Sequence, residues 1–280
     1  MVLFRTKDNH NITEKDFINA LEKLNVHNAK YLYIHSDISF GLPNIELKRR
    51  EILGTLLETI LSTGVDNIIF PTFTFSFPNK EDYSVNDSKT LMGGLNDFAR
   101  KDSRAIRSVD PIMSNIHFGK DRSLVTEIGK NSCGEGSTYH KLEQSDNVLF
   151  LFFGVHPSLC FTYSHFIEER LNVPYRYNQN FTGKITDASE RTYEDTYNFF
   201  VRCKDVVAGT NPKITEEAYK NGAIQEVPIG DNYIYTYDKD KITDIYVKGI
   251  KNDINFMLGA PLPNSLIQEY VVNKYPVIAM

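Results

Sequence analysis

Apolar residues recur along this chain in two rhythms, and the alternation between them predicts its architecture. Phe17, Ile18, Leu21 and Leu24 follow Asn11-Ile-Thr-Glu-Lys-Asp at helical spacing. Thr13 with Asp16 three residues on is the signature of a capped helix start. Lys30-Tyr-Leu-Tyr-Ile-His-Ser is a compact run rich in β-formers, and a long helical pattern then extends from Ile45 to about Ser62. Gly64 closes that helix, and Asp66-Asn-Ile-Ile-Phe-Pro is a second apolar strand stopped by its proline. Strand, helix, strand in this order implies parallel pairing through a right-handed crossover.

Val148 to Phe153 is the most continuously apolar run and so the best candidate for a central strand buried on both faces. Before it, Lys89 to Arg100 predicts a short helix, and Ala105 to Gly119 an extended segment broken at Pro111. Gly134-Glu-Gly-Ser-Thr-Tyr-His-Lys-Leu is a glycine-punctuated loop entering a helix, without the spacing of a phosphate loop. After Pro174 the pattern changes. Tyr193 to Val206 is tyrosine-rich and β-like, and Asn211 to Gly222 resembles a short helix. Asp231-Asn-Tyr-Ile-Tyr-Thr-Tyr and Ile242-Thr-Asp-Ile-Tyr-Val-Lys-Gly alternate like two hairpin strands joined through Asp238-Lys-Asp-Lys. With no repeat and no low-complexity linker, residues 1–280 predict one α/β domain. Its mixed central sheet carries flanking helices, with an antiparallel C-terminal portion from about residue 185.

Composition narrows the partners. With 41% hydrophobic and 24% charged residues the chain is ordinary globular protein, and its net charge of -5 argues against nucleic acid or an anionic membrane surface as partner. Cys133, Cys160 and Cys203 are odd in number and form no C-x-x-C pair, which suggests reduced thiols in cytoplasm rather than a disulfide framework or zinc knuckle. Met1-Val-Leu-Phe-Arg leads into polar sequence without a signal-peptide core, and no apolar run has membrane-spanning length.

Candidate chemistry gathers in Phe161-Thr-Tyr-Ser-His-Phe-Ile-Glu-Glu-Arg. On a helix, His165 and Glu168 share a face, so the carboxylate can hold one ring nitrogen while the other acts as a base near neutral pH. The bland alternative is a packed, satisfied histidine. A nucleophilic Cys160 partnered by His165 would need an awkward five-residue spacing, and a zinc site would need a second histidine that His-x-x-Glu-Glu lacks, so no metal is expected. At the carboxyl ends of the first two predicted strands lie His35, Ser36, Asp37 and Ser39, then Thr72 and Thr74, where α/β proteins commonly bind ligands. Equally, His35 and Ser36 could simply close the turn.

His35-Ser-Asp-Ile-Ser-Phe-Gly, Asn67-Ile-Ile-Phe-Pro-Thr-Phe, Arg107-Ser-Val-Asp-Pro-Ile-Met-Ser, Gly134-Glu-Gly-Ser and Ser164-His-Phe-Ile-Glu-Glu with Val173-Pro-Tyr occur in this order. The series resembles the motifs of the aminoglycoside 3-N-acetyltransferase family, distinct from the GCN5 type, over about residues 30 to 180. The resemblance implies that family's α/β fold and transfer of an acyl group, acetyl or longer, from acyl-coenzyme A to an amino sugar. It makes His165 the general base and Glu168 its orienting carboxylate. The loop His35, Ser36, Asp37 and Ser39, with Thr72, Ser108 and Ser137, becomes the coenzyme region, and backbone N–H groups of Ser36 to Ser39 could serve the oxyanion. Asp110, Glu168 and Glu169 could form an acidic patch for a cationic sugar, with Phe73, Tyr163 and Tyr175 available for stacking. Asp110 stands where many antibiotic-modifying members have histidine. With the acidic pI, this turns the expected acceptor toward a nucleotide-linked aminodeoxysugar of surface polysaccharide synthesis, with an aminoglycoside as the alternative. A non-catalytic sugar- or coenzyme-binding protein is the alternative of another class, and a homodimer is left open.

Overall fold

The computed structural model describes residues 1–209 and 211–271. Seven strands form the main sheet in the order Ile224–Ile229, Asn232–Asp238, Val148–Phe153, Tyr31–Ser36, Asn67–Pro71, Asn115–Gly119, Ile106–Arg107. Tyr31–Ser36 pairs in parallel with Val148–Phe153 on one side and Asn67–Pro71 on the other. The outer strands add antiparallel at both edges, so the sheet is mixed as predicted.

Period two along the central strands sorts side chains onto two faces. Leu32, Ile34, Phe70, Leu151 and Phe153 pack with the helices Glu14–Lys23 and Arg49–Leu61. Tyr33, Ile69, Phe150 and Phe152 pack on the opposite side with Phe161, Tyr163 and Phe166. Arg49–Leu61 is the crossover helix, and Glu14–Lys23 begins with the expected cap, Thr13 N–H donating to Asp16 Oδ2 at 2.7 Å.

Three expectations need correction. Ile242 to Gly249 is not a strand: Lys239–Asn252 is one helix, and Asn232–Asp238 takes Ile224–Ile229 as its hairpin partner. Asp238 caps that helix by accepting from Lys241 N–H at 3.0 Å, and Ile242, Ile245, Tyr246 and Ile250 form its buried stripe. Antiparallel pairing also starts earlier than residue 185, because Arg176–Thr186 and Thr192–Arg202 form a long hairpin. Only Phe181 and Ile185 of the first of these strands are buried, which hides it from hydrophobic periodicity. The helix sought over Lys89 to Arg100 is confined to Gly94–Ala99.

The strand Val148–Phe153 delivers the chain to the candidate site through Gly154. At Gly154, with φ +83°, a Cβ would lie 2.0 Å from the Asp37 carbonyl, so glycine lets this strand end dock on the loop after Tyr31–Ser36. A turn at Pro157–Cys160 and the helix Ser164–Arg170 follow. Among the described residues no helix is long and apolar enough to cross a membrane.

Candidate active site

His165 and Glu168 project from the helix Ser164–Arg170 onto one face, with His165 Nδ1 3.2 Å from Glu168 Oε2. The imidazole is 30% exposed and the carboxylate only 4%, so the ring reaches solvent while its partner is fixed inside. Arg176, at the start of the long hairpin, closes the group from the other side. Its Nε lies 2.9 Å from Glu168 Oε2 but off the hydrogen-bond direction, so the pairing is mainly Coulombic. One terminal nitrogen of Arg176 donates to the Phe200 carbonyl at 3.1 Å, and the other sits 3.1 Å from His165 Nδ1.

The Nδ1 proton decides how these contacts are used. Carried on Nδ1, it donates to Glu168 and leaves Nε2 with a free lone pair; Arg176 could donate only to a bare Nδ1. The carboxylate acceptor favours the tautomer that leaves Nε2 basic, and the Arg176 N–H aimed at Nδ1 favours the other. Burial lowers the His165 pKa, Arg176 and Arg202 push it the same way, and Glu168 opposes them. The ring is consequently neutral at pH 7. Burial alone would raise the Glu168 carboxyl, yet Arg176 and His165 outweigh it and hold the group at about 2.

A carboxyl depressed from 4.5 to about 2 stabilises the folded state when ionised, by roughly 3 kcal/mol. That contribution is complete above pH 4.5 and lost as pH falls toward 2. Chemical denaturation of the wild type should show this loss, and Glu168→Gln should flatten the acid limb. Parallel acid limbs in the two proteins would remove the ion pair from the stability account.

The remaining expected residues separate into exposed and interior groups. Asp37 and Ser39 are exposed, and Ser36 is half-buried with its hydroxyl donating to Asn96 Oδ1 at 2.7 Å. Two of this loop's N–H groups are already used: Asp37 donates to the Phe153 carbonyl and Ser39 to Asp37 Oδ1. They are not free oxyanion donors. His35 is buried, stacked on Phe152, and burial lowers its pKa to about 3. Thr72 and Ser108 bond within the core, to Ser114 and to Asn115 N–H respectively. Ser137 caps the helix Thr138–Glu143 by accepting from His140 N–H.

Asp110 and Glu169 of the expected acidic patch are both engaged within the chain. Asp110 is 3% exposed and its Oδ1 accepts from Ile112 N–H, Met113 N–H and the Ser132 hydroxyl at 2.8–3.0 Å, tying a turn to the following loop. Glu169 accepts from Asn131 and from the Cys133 thiol, on the neighbouring face of the helix. Phe73, Tyr163 and Tyr175 are core residues, fully or almost fully buried. Cys160 is directed at the His156 carbonyl, 3.9 Å away, and burial pushes its thiol up, contrary to what a nucleophile needs.

Arg176 is the member of this candidate site that periodicity missed. Its one signal is position, directly after Val173-Pro-Tyr, and nothing in the spacing announces a partner for Glu168. A cleft of about 450 Å³ is lined by Gly134, Glu135, His140, Glu143, Phe166, Glu169 and Arg170, the last three from the helix that carries His165, which does not itself line it. Among the described residues no group of three or more His, Cys, Asp or Glu is arranged to hold a metal ion.

A mixed α/β sheet that presents a histidine–glutamate pair from a short helix fits the class of N-acetyltransferases that draw on acyl-coenzyme A. The model of the aminoglycoside 3-N-acetyltransferase family matches residues 34–251, and the chain belongs to that family. It is an acyl-CoA-dependent N-acetyltransferase, with acyl-coenzyme A as co-substrate. Its fold is shared by the YokD protein from Bacillus subtilis, at a TM-score of 0.71 and 16% identity over 91% of this chain and 96% of that one. It is also shared by AAC-IIIb, solved with CoASH, at 0.69 and 18% over 90% and 99%. AAC-VIa, solved with sisomicin, matches at 0.71 and 14% over 86% and 97%. No protein of curated function matches the sequence closely.

Proposed function

We propose that the chain acetylates an amine of an aminoglycoside-type amino sugar, with His165 as general base. One observation carries this: a half-exposed imidazole, neutral at pH 7, whose Nδ1 is held by a buried carboxylate. The amine nitrogen attacks the thioester carbonyl carbon while His165 Nε2 takes an N–H proton. The C–S bond then breaks, and the proton passes from His165 to the departing thiolate. Amide and free coenzyme A are the products, and such a base contributes typically about 10²–10⁴-fold.

The acceptor class follows from charge. The nucleotide-linked aminodeoxysugar inferred from Asp110 loses its support, because that carboxylate is consumed inside a turn. In its place, Glu135, Glu143 and Glu169 line a cleft that shares the helix Ser164–Arg170 with His165; with Glu143 paired to Arg170 the cleft remains acidic, which favours a polycation over an anionic sugar nucleotide. The family match and the sisomicin-bound relative point the same way.

Thiol release from acetyl-coenzyme A, measured against a panel of aminoglycosides and nucleotide-linked amino sugars, tests the proposal. Release with the aminoglycosides is expected. Release confined to the nucleotide-linked sugars would overturn the acceptor class. Silence with every amine and with longer acyl thioesters would favour a non-catalytic binder.

A further inference from the structure

A line of buried hydroxyls runs through the core to the turn before His165. Asn115 anchors it: its amide nitrogen donates to the Met113 carbonyl at 2.9 Å, so its oxygen faces Tyr33 and can only accept. Tyr33 therefore donates its proton to Asn115, 2.8 Å away. The Tyr33 oxygen, having spent its proton, must accept from Tyr139 at 3.0 Å, and Tyr139 must in turn accept from Thr162 at 2.5 Å. A contact that short without a proton between the oxygens would be repulsive. The remaining neighbour, His35 Nε2 at 3.4 Å, must then be the protonated nitrogen, donating to Thr162. One backbone carbonyl thus fixes the direction of every hydrogen bond in the line.

Thr162 is the only half-exposed member of this line, and His165 N–H donates to its carbonyl, which places the two residues one turn apart on the same side of the chain. Its proton points inward, and its oxygen keeps one lone pair that neither Tyr139 nor His35 uses. We propose that Thr162 Oγ is a fixed hydrogen-bond acceptor that receives an N–H of a ligand bound beside His165. That N–H belongs to a pantetheine amide of the coenzyme or to the sugar amine. A hydroxyl free to rotate would serve donors and acceptors alike; this one discriminates in favour of donors, as a positioning residue for the transfer.

The assignment rests on the transfer site lying at His165, and the test separates the two. Thr162→Val keeps the shape and removes the acceptor, and should weaken one ligand by about tenfold. Calorimetry with coenzyme A reads the pantetheine source; KM for the amine reads the sugar. The pH dependence of kcat should stay in place, and Thr162→Ser should restore binding. If neither constant moves more than twofold while His165→Ala still abolishes transfer, the Thr162 assignment fails and the His165 site stands. If Thr162→Val does not fold, nitrogen NMR of His35 in the wild-type protein decides: protonation at Nε2 with a bare Nδ1 supports the fixed direction, and the opposite tautomer overturns it.

Discussion

Replacing His165 with alanine is expected to lower kcat/KM by about 10²–10⁴-fold while coenzyme A binding survives. The ring touches solvent on one side and Glu168 and Arg176 on the other, so its removal takes away the proposed base without opening a core cavity. An amine is mostly protonated at pH 7 and attacks a thioester only when neutral, so the loss should fall on the chemical step rather than on coenzyme affinity. Steady-state kinetics beside calorimetry with coenzyme A would show it. An alanine variant as active as wild type would remove His165 from the mechanism.

Arg176→Met should be the most damaging substitution at the site for stability, with a loss of about 3–5 kcal/mol. The Arg176 side chain is 8% exposed and compensates a carboxylate that would otherwise stand buried with a neutral imidazole as its main partner. The same change has a kinetic sign. Arg176 depresses the His165 pKa, so removing it raises that pKa, and more of the base is protonated at a given acidic pH. Residual activity of the variant should therefore fall more steeply between pH 8 and pH 6 than that of wild type. An acid limb displaced to lower pH would contradict the assignment of Arg176 as the cation acting on this pair.

Local patterns gave away the elements whose burial is one-sided and regular. The capped helix after Thr13, the crossover helix and the three central strands fall where periodicity puts them, because each buries a continuous stripe or both faces. Lys239–Asn252 misled because Ile242, Ile245 and Tyr246 lie close enough in sequence to imitate alternation, and the decisive signal was Asp238 as a cap. Arg176–Thr186 was hidden because its outward residues are polar and only two side chains reach the core.

The His165–Glu168 pair was legible because both members lie on one turn of helix. Arg176 was not, since its place beside Glu168 is made by the hairpin's return and not by local spacing. Asp110 shows the opposite error: an acidic residue in a motif suggests substrate contact, whereas here it closes a turn with two backbone N–H groups and a serine hydroxyl. Polar residues near strand ends are ambiguous in sequence for this reason. Ser108 and Ser137 satisfy backbone donors, and only tertiary structure distinguishes that duty from ligand binding.

The central claim is that acetyl transfer takes place at the exposed edge of the His165 ring. Crystallography of the protein with coenzyme A bound tests it most directly. The account predicts the thiol beside His165 Nε2, with room for an amine between sulfur and ring. A thiol seated instead in the cleft of Phe166, Glu169 and Arg170, out of reach of the imidazole, would contradict it.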